Sequence, residues 1–106
     1  MTDEDNNMND YIYLFKALSN PVRLKILALC SQKPMTSKEL RVALGISKPL
    51  LLAHLKILIK AGLIQYDVEI DSERGLIRKK YRTAKIRFCI DNNVIQKIVG
   101  FDKTNT

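Results

Sequence analysis

The chain has 106 residues, of which 46% are hydrophobic, so it is long enough for one compact core and too short for two. Its 18 basic and 11 acidic side chains give a net charge of +7, which favours polyanionic partners such as nucleic acid or an anionic membrane surface. Lys or Arg interrupts every apolar run before bilayer-spanning length, and the acidic start is unlike a signal peptide, so we expect a cytoplasmic protein.

The polar start of the chain suggests how it is organised. Residues 1–10 are acidic and rich in Asn, and we expect them to form a flexible lead-in. We expect residues 11–101 to form a single domain and residues 102–106 to form a short tail. There is no internal repeat and no low-complexity tract.

Two helices are predicted at the start of the domain. In "YIYLFKAL" the apolar residues recur at helical spacing, which predicts an amphipathic helix. Asn20 as N-cap and Pro21 at the first helical position then open a second helix, "PVRLKILALCSQ". Residues such as Leu24 and Ile26 make this helix apolar almost all round, so we expect it at the centre of the core.

A helix-turn-helix pattern follows. Thr36 and Glu39 have capping-box spacing at the start of a short helix, "TSKELRVAL". Gly45 suits a left-handed turn, and Ser47 is placed to cap a longer helix that ends at Gly62. A short helix, a turn that contains glycine and a second capped helix together predict this motif.

The hydrophobic period then changes from helical to alternating. "LIQYDVEI" and "LIRKKYRT" alternate apolar and polar residues, which predicts two strands joined through "DSERG", residues 71–75. Asp91 is placed to cap a short terminal helix, "NNVIQKIVGF". The predicted fold class is therefore mainly α with a small β-hairpin.

Four segments in order resemble a known family: "LFKALSNPVRLKILALC", "SKELRVALGIS", "AHLKILIKAGLI" and "GLIRKKYR". Together they are similar to the winged helix-turn-helix regulators of the arsenic-repressor (ArsR) type, in particular to metal-free, archaeal-like members. The resemblance covers roughly positions 11 to 90. It implies that the helix at 36–44 is the support helix of the motif and that the helix at 47–61 recognises DNA. It also implies that the hairpin around 71–75 is the wing and that the outer helices dimerise.

The sequence differs from the metal-sensing members of that family at both of their metal sites. Those members carry a Cys-x-Cys pair on the support helix or a His/Asp/Glu set on the terminal helix, whereas "ELRVAL" and "NNVIQKIVGF" contain no Cys or His. We therefore expect no metal at those two sites and no cofactor. Cys30 and Cys89 are expected to be two buried, apolar side chains, with a disulfide or redox switch as the alternative.

The helix at 47–61 has two different faces. At about 100° per residue, Leu51, Leu55 and Leu58 fall within one arc and form the core seam, whereas Leu52 faces outward among lysines. Lysines contact phosphates, while Leu52 and Ala53 offer only apolar contact, such as to thymine methyls. We expect mainly electrostatic affinity and modest base discrimination, with help from DNA shape.

Positive charge is concentrated before the wing, since residues 33–60 hold six basic side chains and the single acidic Glu39. On the wing, Arg74 at the tip is the residue we expect at the minor groove. Arg78 and Lys80 are expected to contact DNA. As the alternative, Arg78, Lys80 and Arg82 on one face of the strand pair across the hairpin with the polar residues Gln65, Asp67 and Glu69.

The expected contact residues follow from the pattern and from the resemblance together. The lone histidine, His54, is expected to pack at the edge of the core or to donate to a phosphate. The expected DNA-contacting residues are Thr36, Lys38, Ser47, Lys48, Pro49, Leu52, Ala53, His54, Lys56, Lys60, Arg74, Arg78 and Lys80. The expected dimer residues are Tyr11, Leu14, Phe15, Ile95, Ile98 and Phe101, with completion of the monomer core as the alternative role.

These expectations converge on a homodimeric transcriptional regulator that binds double-stranded DNA and represses by occluding a promoter. A general, non-specific DNA-binding protein is one alternative. Another is a protein-interaction adaptor that docks through an apolar strip of Leu50, Leu52, Ile57 and Ile59. We do not expect an enzyme, because the sequence has no P-loop, no nucleophile beside a base and no paired carboxylates in a plausible pocket.

Overall fold

The computed structural model describes residues 3–85, 87 and 89–101. In chain order its elements are α1 (Asp3–Leu18), α2 (Pro21–Gln32), β1 (Met35–Thr36), α3 (Ser37–Leu44), α4 (Lys48–Lys60), β2 (Ile64–Asp71), β3 (Leu76–Thr83) and α5 (Asn92–Val99). Helices with one small sheet confirm the predicted fold class. The predicted tail, 102–106, lies outside the described residues.

Helix α1 begins earlier than the sequence pattern predicted. The predicted lead-in, 1–10, is helical from Asp3 onward, so helical structure extends through most of that segment. The prediction placed the boundary at Tyr11, where apolar spacing begins. Residues 3–18 contain no Gly or Pro, the two residues least favourable inside a helix, so nothing in the sequence stops the helix at its first packed residue.

Helix α2 is the central helix, because it contacts α1, α3, α4 and β3. It begins as predicted, with the Asn20 Oδ1 accepting the Arg23 N–H at 3.1 Å and with Pro21 at its start. Ile26 and Cys30 are buried. Leu24 is not, since 49% of it is exposed, so the helix is central as expected but its apolar residues are not all buried. Its four neighbours leave one side of α2 in contact with solvent.

The core lies between these helices and the base of the sheet. Its buried members are Ala17, Ile26, Cys30, Met35, Leu40, Leu51, Leu55, Leu58, Leu63, Ile64 and Tyr81. Cys89 does not belong to it and is exposed, so the prediction of two buried cysteines is correct only for Cys30. Cys89 lies beyond the end of β3, so its apolar sequence neighbours did not imply burial.

The sheet is antiparallel with strand order β1-β3-β2. Strands β2 and β3 pair along their whole length from Ile64 opposite Thr83 to Asp71 opposite Leu76, so the turn of the hairpin is residues 72–75, one residue shorter than the predicted 71–75. Strand β1 was not predicted. It has two residues and exists only through its pairing with β3, in which Met35 lies opposite Tyr81.

The terminal helix α5 is capped as predicted, with the Asp91 Oδ1 accepting the Val94 N–H at 2.8 Å. It packs against α1 and buries Ile98. Among the described residues, no single helix is long and apolar enough to cross a membrane, and only α3 and α4 taken together, as a bent pair, meet that test of length and composition.

Candidate nucleic-acid interface

Local interactions set the geometry of α3 and α4. At the start of α3, the Thr36 Oγ1 accepts the Glu39 N–H and the Glu39 Oε1 accepts the Thr36 N–H, which is the predicted capping box. Gly45 ends α3 at φ +66°, and its N–H donates to the Arg41 carbonyl at 2.7 Å. The Ser47 Oγ accepts the Leu50 N–H at the start of α4. The chain bends by 110° between the two helices, within the range of about 90–120° for a helix-turn-helix.

Helix α4 has the two faces that its sequence predicted. Leu51, Leu55 and Leu58 are buried and pack into the core. Leu52 is 42% exposed, which confirms that it faces outward. Every other expected contact residue on the outer part of α4 is exposed as well, namely Lys48, Pro49, Ala53, Lys56 and Lys60.

A positively charged groove of about 740 Å³ lies between the starts of α3 and α4 and strand β3. We call it the helix–wing groove. Its lining includes the apolar Leu52 and Ile77. Its charged lining residues are five cations and one anion: Lys38, Lys48, Arg78, Lys79, Lys80 and Glu39. Glu39 is held in the capping box, and its hydrogen bonds to Thr36 lower the pKa of its carboxyl group.

The cations of the wing are not equally available. The Lys80 Nζ lies 3.3 Å from the Glu69 carboxylate, and the Arg82 Nε lies 3.2 Å from that of Asp67. Arg78 is directly opposite Glu69 in the sheet register, yet that carboxylate pairs diagonally with Lys80. Among the described residues, Arg78 therefore has no carboxylate partner. Lys80 and Arg82 are therefore paired with carboxylates across the hairpin, whereas Arg78 remains available to an external anion.

Arg74 lies at the wing tip, as predicted. Its Nε is 3.9 Å from an Asp71 carboxylate oxygen, and its side chain is largely exposed. Asp71 also accepts the backbone N–H groups of Glu73 and Arg74, which closes the turn. The tip is thus ordered by its own carboxylate, while the Arg74 guanidinium extends into solvent.

Lys60 lies apart from the groove, at the far end of α4. Its Nζ is 5.0 Å from the centre of the Tyr13 ring, a cation–π contact with α1. Lys79, in contrast, lines the groove and was not among the expected contact residues. Its Nζ is 4.6 Å from the Tyr66 ring centre. Alternation along β3 places Lys79 on the apolar face of the strand. A charged residue on that face was the sequence feature that could have identified Lys79 as a contact residue.

His54 contacts α2. Its Nδ1 lies 3.2 Å from the Arg23 Nη1, and the side chain is partly buried, which agrees with packing at the edge of the core. Partial burial, followed by the charge of Arg23, lowers the pKa of the imidazole. Arg23 was missed by sequence reasoning. A charged residue within a helix expected to be apolar almost all round was the available signal.

Comparison with known proteins agrees with this geometry. The sequence profile described as "Bacterial regulatory protein, arsR family" matches residues 20–66. An uncharacterized HTH-type transcriptional regulator of Methanocaldococcus jannaschii is 35% identical over 89 residues, which cover 84% of this chain and 92% of that protein. The chain belongs to the ArsR family of transcriptional regulators.

Solved structures show the same fold for this ArsR-family protein. Reduced HlyU from Vibrio cholerae is 22% identical with a TM-score of 0.62, and the match covers 99% of this chain and 98% of that one. NolR from Sinorhizobium fredii is 19% identical with a TM-score of 0.61, over 99% and 94% of the two chains. A homodimeric winged helix-turn-helix DNA-binding domain from Mycobacterium bovis, a possible ArsR-family regulator, is 22% identical with a TM-score of 0.62, over 98% and 86%. The fold is therefore a winged helix-turn-helix.

Membership of the family establishes a DNA-binding transcriptional regulator and not an enzyme. Within this fold α3 is the support helix, α4 the recognition helix, and the β2–β3 hairpin the wing. In the part of the chain that the structure describes, no group of three or more His, Cys, Asp or Glu side chains is placed to hold a metal ion.

Proposed function

We propose that the protein binds double-stranded DNA as a homodimer, with α4 in the major groove and the wing tip, residues 71–75, at the minor groove. The observation that carries the proposal is the helix–wing groove, whose lining has five cations against one carboxylate. That carboxylate, Glu39, is already engaged in a capping box. The groove therefore has an excess of cations for one strand of a phosphate backbone.

Within the groove, we assign Lys38, Lys48 and Arg78 to phosphate contacts. Each lines the groove, and none has an ion pair among the described residues. Lys80 is assigned a weaker role, since Glu69 already neutralises part of its charge. Thr36 and Ser47 are assigned indirect roles, because their hydroxyl groups cap α3 and α4.

We assign the base contacts to the exposed side of α4. Leu52, Ala53 and Pro49 present only apolar surface, which suits thymine methyl groups and carries little hydrogen-bond information. Lys56 is the exposed cation beside them. Arg74 at the wing tip is assigned to the minor groove, where a narrow A·T-rich segment attracts a guanidinium group. Discrimination then rests on methyl contacts and on DNA shape.

The dimer is assigned to an apolar terminal face, made of the exposed residues Ile12 and Phe15 on α1 and Ile95 and Val99 on α5. Phe101, also exposed, extends this face. Helices α1 and α5 pack together, so one helix pair carries all four of these exposed apolar residues. The neighbour from Mycobacterium bovis is homodimeric, which supports this assembly.

The other expected dimer residues have different surroundings. Ile98 is 9% exposed and packs within the protomer, and Leu14 is partly buried against the core. The Tyr11 and Phe15 rings contact each other, with their centres 6.0 Å apart. We therefore assign Phe15, Ile95 and Phe101 to the dimer seam, and Leu14 and Ile98 to the protomer core.

Repression by promoter occlusion is the mechanism we assign. A symmetric dimer places its two α4 helices in successive major grooves, about 34–36 Å apart, and covers the DNA between them. A bound dimer excludes RNA polymerase by occupying that DNA.

The adaptor alternative required one apolar strip on α4. At about 100° per residue, Leu50 and Ile57 lie on one side of the helix, and Leu52 and Ile59 lie on the other. Lys56 and Lys60 lie between the two pairs. The four residues do not form a continuous docking surface, so we assign α4 to DNA.

Fluorescence anisotropy across a salt series tests the proposal. One labelled duplex comes from the gene's own promoter region and the other is a scrambled duplex of the same composition. We expect a steep loss of affinity with salt, tighter binding to the promoter duplex, and weaker binding by Lys48→Ala. Lys25→Ala is the matched control, since Lys25 is an exposed lysine on α2 outside the helix–wing groove.

Two other outcomes would change the conclusion. Equal affinity for both duplexes with a steep salt dependence would indicate the general DNA-binding alternative. Equal affinities for Lys48→Ala and Lys25→Ala would remove the helix–wing groove from the DNA interface.

A further inference from the structure

Arg23 joins three elements of the fold. Its Nε donates to the Ala17 carbonyl at 2.7 Å, and its Nη2 donates to the Lys16 carbonyl at 2.9 Å. Both carbonyls belong to the last turn of α1, where carbonyl groups lack partners within the helix and a cation is favourable. The third contact, from Nη1, reaches His54 on α4 at 3.2 Å. One α2 side chain thus connects the end of α1 to the recognition helix.

The chemistry of the two groups determines the direction of the Arg23–His54 contact. A guanidinium group has N–H donors and no acceptor, so the His54 Nδ1 must accept. A neutral imidazole has one N–H, which places the proton on Nε2. Protonation of Nδ1 would remove the acceptor and set two cations against each other at that distance. The contact therefore requires neutral His54 in its Nε2–H tautomer, and the lowered pKa of the group is consistent with it.

We propose that Arg23 and His54 form a positioning pair that holds α4 in its DNA-binding orientation relative to the end of α1. The inference rests on the proposed function, in which α4 enters DNA and α1 forms part of the dimer seam. In a dimer, the separation of the two recognition helices depends on how each α4 is held relative to its own α1. Neither residue needs to touch DNA for this role.

The surroundings of the pair support a positioning role. Arg23 is partly buried, and two of its contacts are to backbone carbonyls, so its position is defined by three elements rather than by solvent. Burial lowers the pKa of the imidazole, and among the described residues Arg23 is the charged group that lowers it further. Lys56, two residues further along α4, points about 160° away by helix geometry. The α1 partners contribute backbone oxygens.

The first test is spectroscopic, and the sequence makes it simple because the chain has one histidine. A long-range ¹H–¹⁵N spectrum of the full-length protein therefore reports His54 alone. We expect the Nε2–H tautomer in the wild-type protein, and a mixture of tautomers with a raised pKa in Arg23→Gln. A protonated Nδ1 in the wild-type protein at neutral pH, or an unchanged spectrum in Arg23→Gln, would overturn the pairing.

The second test is DNA affinity, measured by anisotropy on the duplex from the gene's own promoter region at fixed salt. Arg23→Gln is compared with Lys25→Gln, which removes the same charge from an exposed position on the same helix. We expect Arg23→Gln to lose about five-fold or more beyond the loss in Lys25→Gln. His54→Leu should lose a similar amount, whereas His54→Asn, whose amide oxygen can accept from Arg23, should lose clearly less than His54→Leu. Far-ultraviolet circular dichroism of each variant checks that it is folded.

The outcomes separate the inference from the proposed function. Wild-type binding with equal losses in Arg23→Gln and Lys25→Gln would overturn the positioning role alone. Equal losses in His54→Asn and His54→Leu would do the same, since the acceptor would then be irrelevant. No binding of either duplex by the wild-type protein would overturn the proposed function and, with it, the role of the pair in DNA binding.

Discussion

Cys30 and Cys89 have different surroundings, and their chemistry differs accordingly. Cys30 lies in the core among buried apolar side chains, whereas Cys89 is exposed after the end of β3. Burial raises the pKa of the Cys30 thiol to about 11, so this thiol stays protonated at physiological pH. Because the thiolate is the reactive form, both burial and protonation protect the Cys30 thiol from modification.

The first prediction concerns thiol reactivity. In the native protein, one thiol per chain should react rapidly with a disulfide reagent such as DTNB, and the second only after denaturation. Cys89→Ser should abolish the rapid phase, whereas Cys30→Ser should leave it intact. Rapid modification of both thiols under native conditions would contradict the buried position of Cys30.

The second prediction concerns pH. The pKa of His54 is lower in the folded protein than its ordinary value of 6.5, so the unfolded chain binds this proton more readily. The stability contributed by neutral His54 is therefore complete above pH 6.5 and is lost as pH falls toward the folded-state pKa. Urea midpoints should fall between about pH 7.5 and about pH 5.5 more in the wild-type protein than in His54→Asn. Equal pH dependence in the two proteins would contradict the shift.

At the scale of elements, short local devices define the helix-turn-helix. The capping box begins α3, Gly45 ends it in a left-handed conformation, and Ser47 begins α4. A Cβ built at Gly45 meets no atom within 4 Å, so any cost of a side chain there comes from the backbone, at φ +66°. The turn therefore requires glycine at position 45 for its backbone conformation and not because a side chain would collide with a neighbour.

The third prediction follows from that turn. Gly45→Ala should destabilise the fold by about 1–2 kcal/mol, because an alanine is strained in the left-handed conformation. Gly45→Asn should cost less, since Asn enters this region more readily. Thermal unfolding at equal protein concentrations measures both, with a shift of about 4–8 °C per kcal/mol for a domain near this size. Equal costs for the two variants would indicate a cause other than backbone conformation.

The wing is the second element whose behaviour depends on particular pairs. Glu69 pairs diagonally with Lys80, and this pairing leaves Arg78 without a carboxylate partner among the described residues. Both members of the pair are substantially exposed, so the pair contributes little to stability. Its main consequence is for the charge that the wing presents to DNA.

The fourth prediction uses that pair. Glu69→Gln should raise DNA affinity, because it removes a negative charge and releases Lys80. Most of the gain should disappear in a Lys80→Ala background, which a double-mutant cycle measures by anisotropy. A gain of the same size in both backgrounds would show that Lys80 is not the group released.

At the scale of the whole molecule, the protomer is elongated. Its radius of gyration is 17.2 Å and its principal extents are 62 × 27 × 23 Å. A compact domain of this length is expected to have a radius of gyration of about 13 Å. The apolar terminal face, formed by exposed residues of α1 and α5, remains uncovered in a single copy. An exposed apolar surface on one helix pair is the kind of surface that a symmetric dimer buries.

The fifth prediction tests that dimer. The wild-type protein should be a dimer by size-exclusion chromatography with light scattering, and Ile95→Glu should be a folded monomer with weaker DNA binding. Val42→Glu is the control, since Val42 is a valine on α3, 76% exposed and outside the apolar terminal face. Dissociation of both variants to the same extent would indicate a general effect of added charge. A wild-type monomer would contradict the dimer directly.

Features that depend on neighbours within a few residues could be predicted from the sequence alone. The caps at Thr36, Ser47 and Asp91, the left-handed Gly45 and the buried seam of α4 all follow from such local spacing. For the same reason the helix-turn-helix and the hairpin were recognisable from the order and spacing of their residues. Local periodicity shows which type of element a segment forms and which of its faces is apolar.

Features that depend on distant residues were decided only by the tertiary structure. Strand β1 exists through pairing with β3, Cys89 is exposed although its sequence neighbours are apolar, and Leu24 is exposed because the neighbours of α2 leave one side open. The diagonal choice of Glu69 and the contact of Arg23 with His54, 31 residues away, belong to the same class. A pattern of spacing determines which face of an element is apolar, but packing determines which side chain from elsewhere in the chain meets it.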